Sequence, residues 1–153
     1  MRLFPAVLMS ALAVFAPWVS ASVDSLLIVD GDRRIDLPIT ELRERADLEF
    51  TFYAPYRGRD VTIRGIALTD LLAREIGRVP ERIRLEAHDG YIIELDDWAS
   101  GSWVLVTHED GEPLTLRQQG PVRLVERDYG DRNPEHLRSF NLWVWMLKSI
   151  EAL

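Results

Sequence analysis

Hydrophobic positions along this chain fall in short runs that are separated by turn residues. Leu26–Asp30 is an apolar run that ends at Asp30-Gly31-Asp32 and is followed by Ile35–Leu37, a pattern that predicts a β-hairpin. The pairs Asp89-Gly90 and Asp110-Gly111 predict two more turns. Later runs of the same kind predict strands at Ile83–Ala87, Tyr91–Leu95, Trp103–Thr107, Leu114–Leu116, Val122–Val125 and Trp143–Ile150.

Two segments have helical periodicity instead. The first follows Thr40, a candidate N-cap, and has apolar residues four apart; the second is Leu68–Ile76, with Thr69 as its candidate N-cap and Gly77 as its C-terminal stop. The longest polar stretch, Asp128–Arg138, predicts a mobile surface loop. Many short strands and two short helices predict an α+β fold that is mainly antiparallel β.

Residues 1–21 have the pattern of a cleavable signal peptide. Arg2 precedes an apolar stretch, and the small residues Val19-Ser20-Ala21 fit a signal-peptidase site before Ser22. An N-terminal membrane anchor is the alternative, but the stretch is short and has prolines near both ends. We therefore expect an exported, periplasmic protein whose residues 22–153 form a single domain.

Charge and cysteine content exclude several classes of function. The 153 residues carry a formal net charge of −7 and no basic run, which disfavours nucleic-acid binding because the chain would repel phosphate. Cysteine is absent, which excludes disulfides, thiolate nucleophiles, iron–sulfur clusters and Cys-type zinc sites.

The histidines and paired carboxylates do not suggest a metal site or a catalytic pair. No two histidines have ligand spacing, and His108 and His136 are predicted to lie at the surface. His88 directly precedes a predicted turn at the end of a strand, so it is a candidate for a pocket. The neighbouring carboxylates Asp96-Asp97 and Glu109-Asp110 are predicted to be solvated.

Aromatic and polar residues near the predicted turns are the remaining candidates for function. They are Tyr53, Tyr56, Asp89, Tyr91, Arg117, Asn141 and Trp145. This mixture suits a flat heteroaromatic ligand, because rings stack on it, a carboxylate accepts paired N–H bonds, and Arg or Asn satisfies a ring carbonyl. Aromatic residues at strand spacing also pack in cores, and we expect at least one of Trp143 and Trp145 to do so.

Several segments, in order, resemble the molybdopterin-binding domain of the sulfite-oxidase fold. The resemblance spans roughly residues 48–151 and implies that fold for most of the chain. The segments that carry it are Ile63–Leu72 (IRGIALTDLL), Ala87–Tyr91 (AHDGY), Asp110–Leu114 (DGEPL), Gly120–Leu124 (GPVRL) and Trp145–Ile150 (WMLKSI).

The resemblance departs from the catalytic members of that family at one position. Those members hold molybdenum through a cysteine thiolate before the Gly turn, but the corresponding segment here, Leu48–Arg59, contains none. An oxygen ligand is a poor replacement for a soft thiolate. The leader has Arg2 alone rather than the arginine pair with which folded molybdoenzymes are exported.

The chain is more similar to a cysteine-free, exported, PruR-like branch of the family, whose members bind reduced pterins without metal. The matching residues are Pro55, Tyr91, Arg117, Gly120, Pro121, Asn141, Trp145 and Lys148. Where that branch has Trp, Asn and Gln, this chain has Tyr56, Asp89 and Met146.

This resemblance implies a periplasmic pterin-binding protein that neither holds a metal nor catalyses a reaction. It would report its ligand state to a membrane partner, such as a cyclic-di-GMP enzyme or a histidine kinase. The implied ligand-binding residues are Tyr56, His88, Asp89, Tyr91, Arg117, Asn141 and Trp145. Two alternatives remain: a molybdopterin-dependent oxidoreductase with non-cysteine ligation, and an accessory protein without a small ligand whose aromatic rim is an interface.

Overall fold

The computed structural model describes residues 23–153, so the predicted leader lies outside the described residues. The helices are α1 (Ile39–Arg45) and α2 (Leu68–Ile76). The strands are β1 (Ser25–Asp30), β2 (Arg33–Pro38), β3 (Leu48–Ala54), β4 (Arg59–Ala67), β5 (Arg82–Ala87), β6 (Ile92–Asp96), β7 (Trp103–Glu109), β8 (Glu112–Pro113), β9 (Arg123–Glu126), β10 (Val144–Trp145) and β11 (Leu147–Ala152). Short 3₁₀ turns lie at Trp98–Ser100, Leu116–Gln118 and Leu137–Phe140.

The strands form two sheets. The five-stranded sheet has the order β2-β1-β11-β5-β6, and the six-stranded sheet has the order β10-β9-β7-β4-β3, with β8 paired to β7. Strands β1 and β11 pair in parallel, while the other paired strands are antiparallel. The predicted α+β class with mainly antiparallel sheets and two short helices is therefore confirmed.

One hydrophobic cluster joins the sheets and the helices. Helix α2 contributes the face that its periodicity predicts, namely Leu68, Leu71, Leu72 and Ile76. It ends at Gly77, whose φ of 76° is left-handed, as expected of a C-terminal glycine. The predicted turns are also present, with positive φ at Gly31, Gly90 and Gly111.

Neither predicted N-cap residue caps its helix. Helix α1 begins one residue before Thr40, where the N–H of Ile39 donates to the carbonyl of Asp24 at 2.8 Å. Helix α2 begins one residue before Thr69, because β4 runs directly into it, and Ala67 occupies the cap position. A backbone hydrogen bond to a distant residue therefore takes the place of the side-chain cap in α1, and the direct continuation from β4 takes its place in α2.

Two strand predictions are wrong. The segment predicted as the strand Leu114–Leu116 is instead a buried Leu114 followed by an exposed 3₁₀ turn. The segment Trp143–Ile150 is not one strand: it breaks at Met146, where φ is 56°, into β10 of one sheet and β11 of the other. Aliphatic and aromatic residues continue through the break, so the hydrophobic pattern does not reveal it.

The polar stretch Asp128–Arg138 is a surface loop, but several side chains attach it to the fold. The Tyr129 hydroxyl donates to the Tyr53 carbonyl at 3.0 Å, and the Arg132 guanidinium lies 5.0 Å from the centre of the Phe140 ring. Its mobility stays a prediction. In residues 23–153, none of the helices is both long and apolar enough to cross a bilayer.

Candidate functional site

A pocket lies where the two sheets approach each other. Its volume is about 280 Å³, and it is lined by Tyr56, Asp89, Tyr91, Asn141, Trp143 and Trp145. The turn after β5 contributes Asp89 and Tyr91, whereas the segment that leads into β10 contributes Asn141 and Trp143. Both sheets therefore supply residues to one site.

Aromatic rings form one wall of the pocket. The rings of Tyr56 and Trp145 meet edge to face, with centroids 4.3 Å apart and an interplanar angle of 77°. Trp143 lies behind them and is only 5% exposed. The centre of its ring system is 6.4 Å from that of Tyr56 and 4.9 Å from that of Phe140, on which it packs. Trp143 is thus the core tryptophan that the sequence led us to expect, while Trp145 remains partly accessible. We call Tyr56, Trp143 and Trp145 the aromatic wall.

Hydrogen bonds fix the two tyrosines of the pocket. The Tyr56 hydroxyl donates to the carbonyl of Leu137 at 3.1 Å, and the Tyr91 hydroxyl donates to the carbonyl of Asn141 at 2.8 Å. Burial, and then the neighbouring Tyr91, raise the pKa of Tyr56, so the Tyr56 hydroxyl keeps its proton at neutral pH. The hydrogens of both hydroxyls are already donated, which leaves the oxygen lone pairs as acceptors.

Asp89 has a local structural role as well as a place in the pocket. Its Oδ1 accepts the backbone N–H of Tyr91 at 3.0 Å, and Gly90 between them has a φ of 87°. This is the side-chain-to-backbone turn that makes Asp common before Gly. The second carboxylate oxygen has no hydrogen-bond partner in the described part of the chain, so it can accept from a ligand.

Met146 connects the two sides of the pocket. Its carbonyl accepts the N–H of His88 at 2.9 Å, and its own N–H donates to the carbonyl of Gln119 at 3.1 Å. A non-glycine residue with a positive φ is unusual and costs about 1–2 kcal/mol. These two bonds hold the kink that places Trp145 beside the turn of Asp89.

A buried ion cluster lies behind the aromatic wall. Glu109 is 6% exposed, accepts from Arg57 Nε at 3.0 Å, and is also bonded to Arg123. The cavity beside it has a volume of only about 20 Å³, room for about one water molecule. Burial alone would raise the pKa of Glu109, but the two guanidinium groups outweigh it and lower that pKa. The prediction of a solvated Glu109 is therefore wrong.

His108 is also buried, contrary to the prediction of a surface histidine. It is 6% exposed; its Nε2 lies 2.8 Å from Arg64 Nη2, and its Nδ1 lies 2.8 Å from Thr107 Oγ1. Because a guanidinium can only donate, Nε2 is the acceptor and the ring is neutral. Burial, followed by the nearby Arg64 and Arg43, lowers the pKa of His108. His136 is exposed, as predicted.

The structure brings together most of the predicted ligand-binding residues. Five of the seven line the pocket, namely Tyr56, Asp89, Tyr91, Asn141 and Trp145. His88 does not line it: its partly buried side chain lies near Lys148 and Glu86, and burial, followed by Lys148, lowers its pKa. Arg117 lies exposed on a 3₁₀ turn outside the lining.

Sequence reasoning missed Trp143 as a pocket residue and the ion cluster altogether. Trp143 was foreseeable, since it lies two residues from Trp145. Arg57 and Arg123 lie 52 and 14 residues from Glu109, so only the tertiary fold unites them.

The residues of the pocket do not fit thiolate-ligated molybdenum. The chain has no cysteine, and the side chains around the pocket are phenols, indoles, one carboxylate and one carboxamide. Within residues 23–153, no group of three or more His, Asp or Glu side chains could hold a metal ion. The donor set is too hard for the soft thiolate ligation that the sequence resemblance implies for molybdenum.

Comparison with known proteins identifies the fold. No family model and no curated protein matches the chain. Among solved structures, the chain is similar to the sulfane dehydrogenase SoxCD from Paracoccus pantotrophus, a neighbour from the sulfite-oxidase family, with a TM-score of 0.58 and 16% identity. The match covers 87% of this chain and 39% of that one. The similarity concerns the fold alone, and the fold of this chain is accordingly sulfite-oxidase-like.

Proposed function

We propose that the pocket binds a reduced pterin without metal and without catalysis. The observation that carries the proposal is a pocket of about 280 Å³ that is lined by both the aromatic wall and Asp89. A pterin is a flat bicyclic ring with adjacent N–H groups on its aminopyrimidine edge. The ring would stack on Tyr56 or Trp145, and that edge would donate to Asp89.

Pocket size supports a small ligand of this kind. Ligand pockets commonly measure about 300–1,000 Å³, and this one, at about 280 Å³, lies just below that range. The carboxamide of Asn141 can both donate and accept, which suits the ring carbonyl and its neighbouring nitrogen. Arg117, the other residue that the sequence offered for the ring carbonyl, lies outside the lining, so we assign that role to Asn141.

We further propose that the protein acts in the periplasm and reports its ligand state to a membrane partner. The leader pattern and the PruR-like motifs support this location and role. Leu137 and Leu142, whose backbones adjoin the pocket, are 42% and 46% exposed, and apolar residues at such a rim suit contact with another protein.

The direct test is to identify small molecules released from denatured protein after periplasmic expression. We expect mass spectrometry to find a pterin. Added reduced pterin should also raise the melting temperature, since a ligand that binds only the native state stabilises it. Failure of both experiments would contradict the proposal, and stoichiometric molybdenum in the purified protein would favour the oxidoreductase alternative.

A pair of variants tests the site itself. Trp145→Leu removes the accessible stacking ring and is expected to weaken pterin binding by about 1–3 kcal/mol, the usual worth of stacking on an aromatic side chain. Tyr53→Leu is the matched control, because Tyr53 is 38% exposed and does not line the pocket. Equal affinity of Trp145→Leu and the parent would exclude Trp145 as the stacking ring.

A further inference from the structure

The pocket has a one-sided charge. Its described lining contains one carboxylate, that of Asp89, and no Lys, Arg or His. The other lining side chains are four aromatic rings and one carboxamide. Aromatic faces carry partial negative charge and attract cations. Both the carboxylate and the ring faces of the site therefore repel anions.

The hydrogen-bonding groups of the pocket also favour a ligand that donates hydrogen bonds over an anion that accepts them. The hydroxyls of Tyr56 and Tyr91 donate to backbone carbonyls and offer only lone pairs to a ligand. Asp89 is an acceptor when ionised, and one of its oxygens is already bonded. The remaining side-chain donors of the lining are the amide of Asn141 and the indole N–H of Trp145, because the indole N–H of Trp143 already donates to Glu126. A ligand that is rich in N–H groups is complementary to this arrangement, whereas a phosphate is not.

The arginines behind the aromatic wall do not alter this conclusion. Arg57 and Arg123 are bonded to Glu109, and Arg57 also donates to the carbonyl of Gln118 at 2.9 Å. The cavity beside them, of about 20 Å³, has room for about one water molecule and not for a phosphate. A phosphorylated ligand in the pocket would thus keep its phosphate near Asp89 or in solvent.

We infer that the site selects unphosphorylated pterins and rejects their phosphate esters, with Asp89 as the residue that sets this specificity. The inference rests on the proposed function and names its ligand class. Molybdopterin, which carries a phosphate, is rejected on the same ground. A phosphomonoester hydrolysis must then precede binding wherever the pterin is made as a phosphate.

The test compares dihydroneopterin with dihydroneopterin phosphate by calorimetric titration of the whole protein. We expect the unphosphorylated compound to bind at least about tenfold more tightly. Repulsion between like charges a few ångströms apart is strong enough to weaken the affinity by about that factor or more. Raising the salt concentration should reduce the ratio, since salt screens exposed charges.

Asp89→Asn isolates the charge. The amide oxygen can still accept the N–H of Tyr91, so the turn is kept, and the affinity ratio should fall severalfold toward one. Asp128→Asn is the matched control, because Asp128 makes the same kind of bond, to the N–H of Gly130 at 2.9 Å, outside the pocket lining. The ratio in that variant should equal the parent's.

The outcomes separate the inference from the proposed function. Equal affinities of the two compounds in the parent protein would overturn the inference and leave pterin binding intact. Binding of neither compound would overturn both. An unchanged ratio in Asp89→Asn, in protein whose circular dichroism matches the parent's, would remove Asp89 as the determinant.

Discussion

Individual charged residues show where sequence reasoning reaches its limit. Glu109 stands beside Asp110 just before a glycine, and this local pattern predicted two solvated carboxylates. Asp110 does lie exposed in the turn, but Glu109 is the last residue of the buried strand β7. Its cost of burial is offset by two arginines from other strands and loops, which no local pattern could reveal.

His108 is the second residue whose environment the sequence concealed, and it predicts a pH dependence of stability. Its pKa in the folded protein is lowered below the ordinary 6.5, by burial first and then by Arg64 and Arg43. The unfolded chain therefore binds a proton more readily than the folded one. Stability should be unaffected above about pH 6.5 and should fall as the pH drops below it.

His108→Gln is expected to flatten this fall. The hydrogen bond from Arg64, which protonation of the ring would break, is worth about 1 kcal/mol, so a pH-dependent loss of that order should disappear. Urea unfolding of parent and variant between neutral and mildly acidic pH measures it. His88, whose pKa is also lowered, accounts for a residual slope.

His136→Gln serves as the control, because His136 is exposed in the loop. Its stability curve should follow the parent's across the same pH range. A His108→Gln curve as steep as the parent's would show that the buried histidine does not produce the acid sensitivity.

At the scale of elements, the hydrophobic pattern predicted an element correctly where the local signals agree with one another. Helix α2 has the predicted bounds, Leu68–Ile76, because its apolar face and Gly77 agree. The last strand failed because its hydrophobic run continues through a backbone kink. Met146 is an ordinary apolar residue in the sequence, and its φ of 56° arises from the passage between two sheets.

This kink predicts an unusual pattern of tolerance at Met146. A β-branched residue is strongly disfavoured at positive φ, whereas asparagine adopts that region comparatively easily. Met146→Ile should therefore destabilise the protein by about 1–2 kcal/mol more than Met146→Asn, although isoleucine is the closer match in hydrophobicity. Denaturant unfolding of the two variants checks the order.

Leu147→Ile provides the comparison at the next position, which lies in β11 and is fully buried. Strand geometry favours β-branched residues, so this change should cost less than about 1.5 kcal/mol. If Met146→Ile were as stable as Met146→Asn, the kink would not constrain the residue type.

For the whole molecule, the order of short motifs predicted the fold better than any single motif did. The segments from Ile63–Leu72 to Trp145–Ile150 follow one another in the order expected of a sulfite-oxidase-like domain, and the structure has that fold. What the order could not show is that β11 lies between β1 and β5. Such long-range pairing depends on the complete chain.

The pairing of β1 with β11 predicts that the chain unfolds in one step. The strands pair from Leu27 with Ser149 to Asp30 with Ala152, so the two ends of the described chain support the same sheet. Scanning calorimetry should give a single transition with equal calorimetric and van't Hoff enthalpies. Two separate transitions would contradict the single domain that the sequence predicts for residues 22–153.

The tryptophans of the aromatic wall have a practical consequence. Trp143 and Trp145 line the pocket, while Trp98 is buried with its indole N–H bonded to Pro80, away from it. Indole fluorescence is quenched by a flat chromophore stacked against it. The wall that would hold the ligand is therefore also an intrinsic optical reporter, and occupancy can be followed in unlabelled protein in real time.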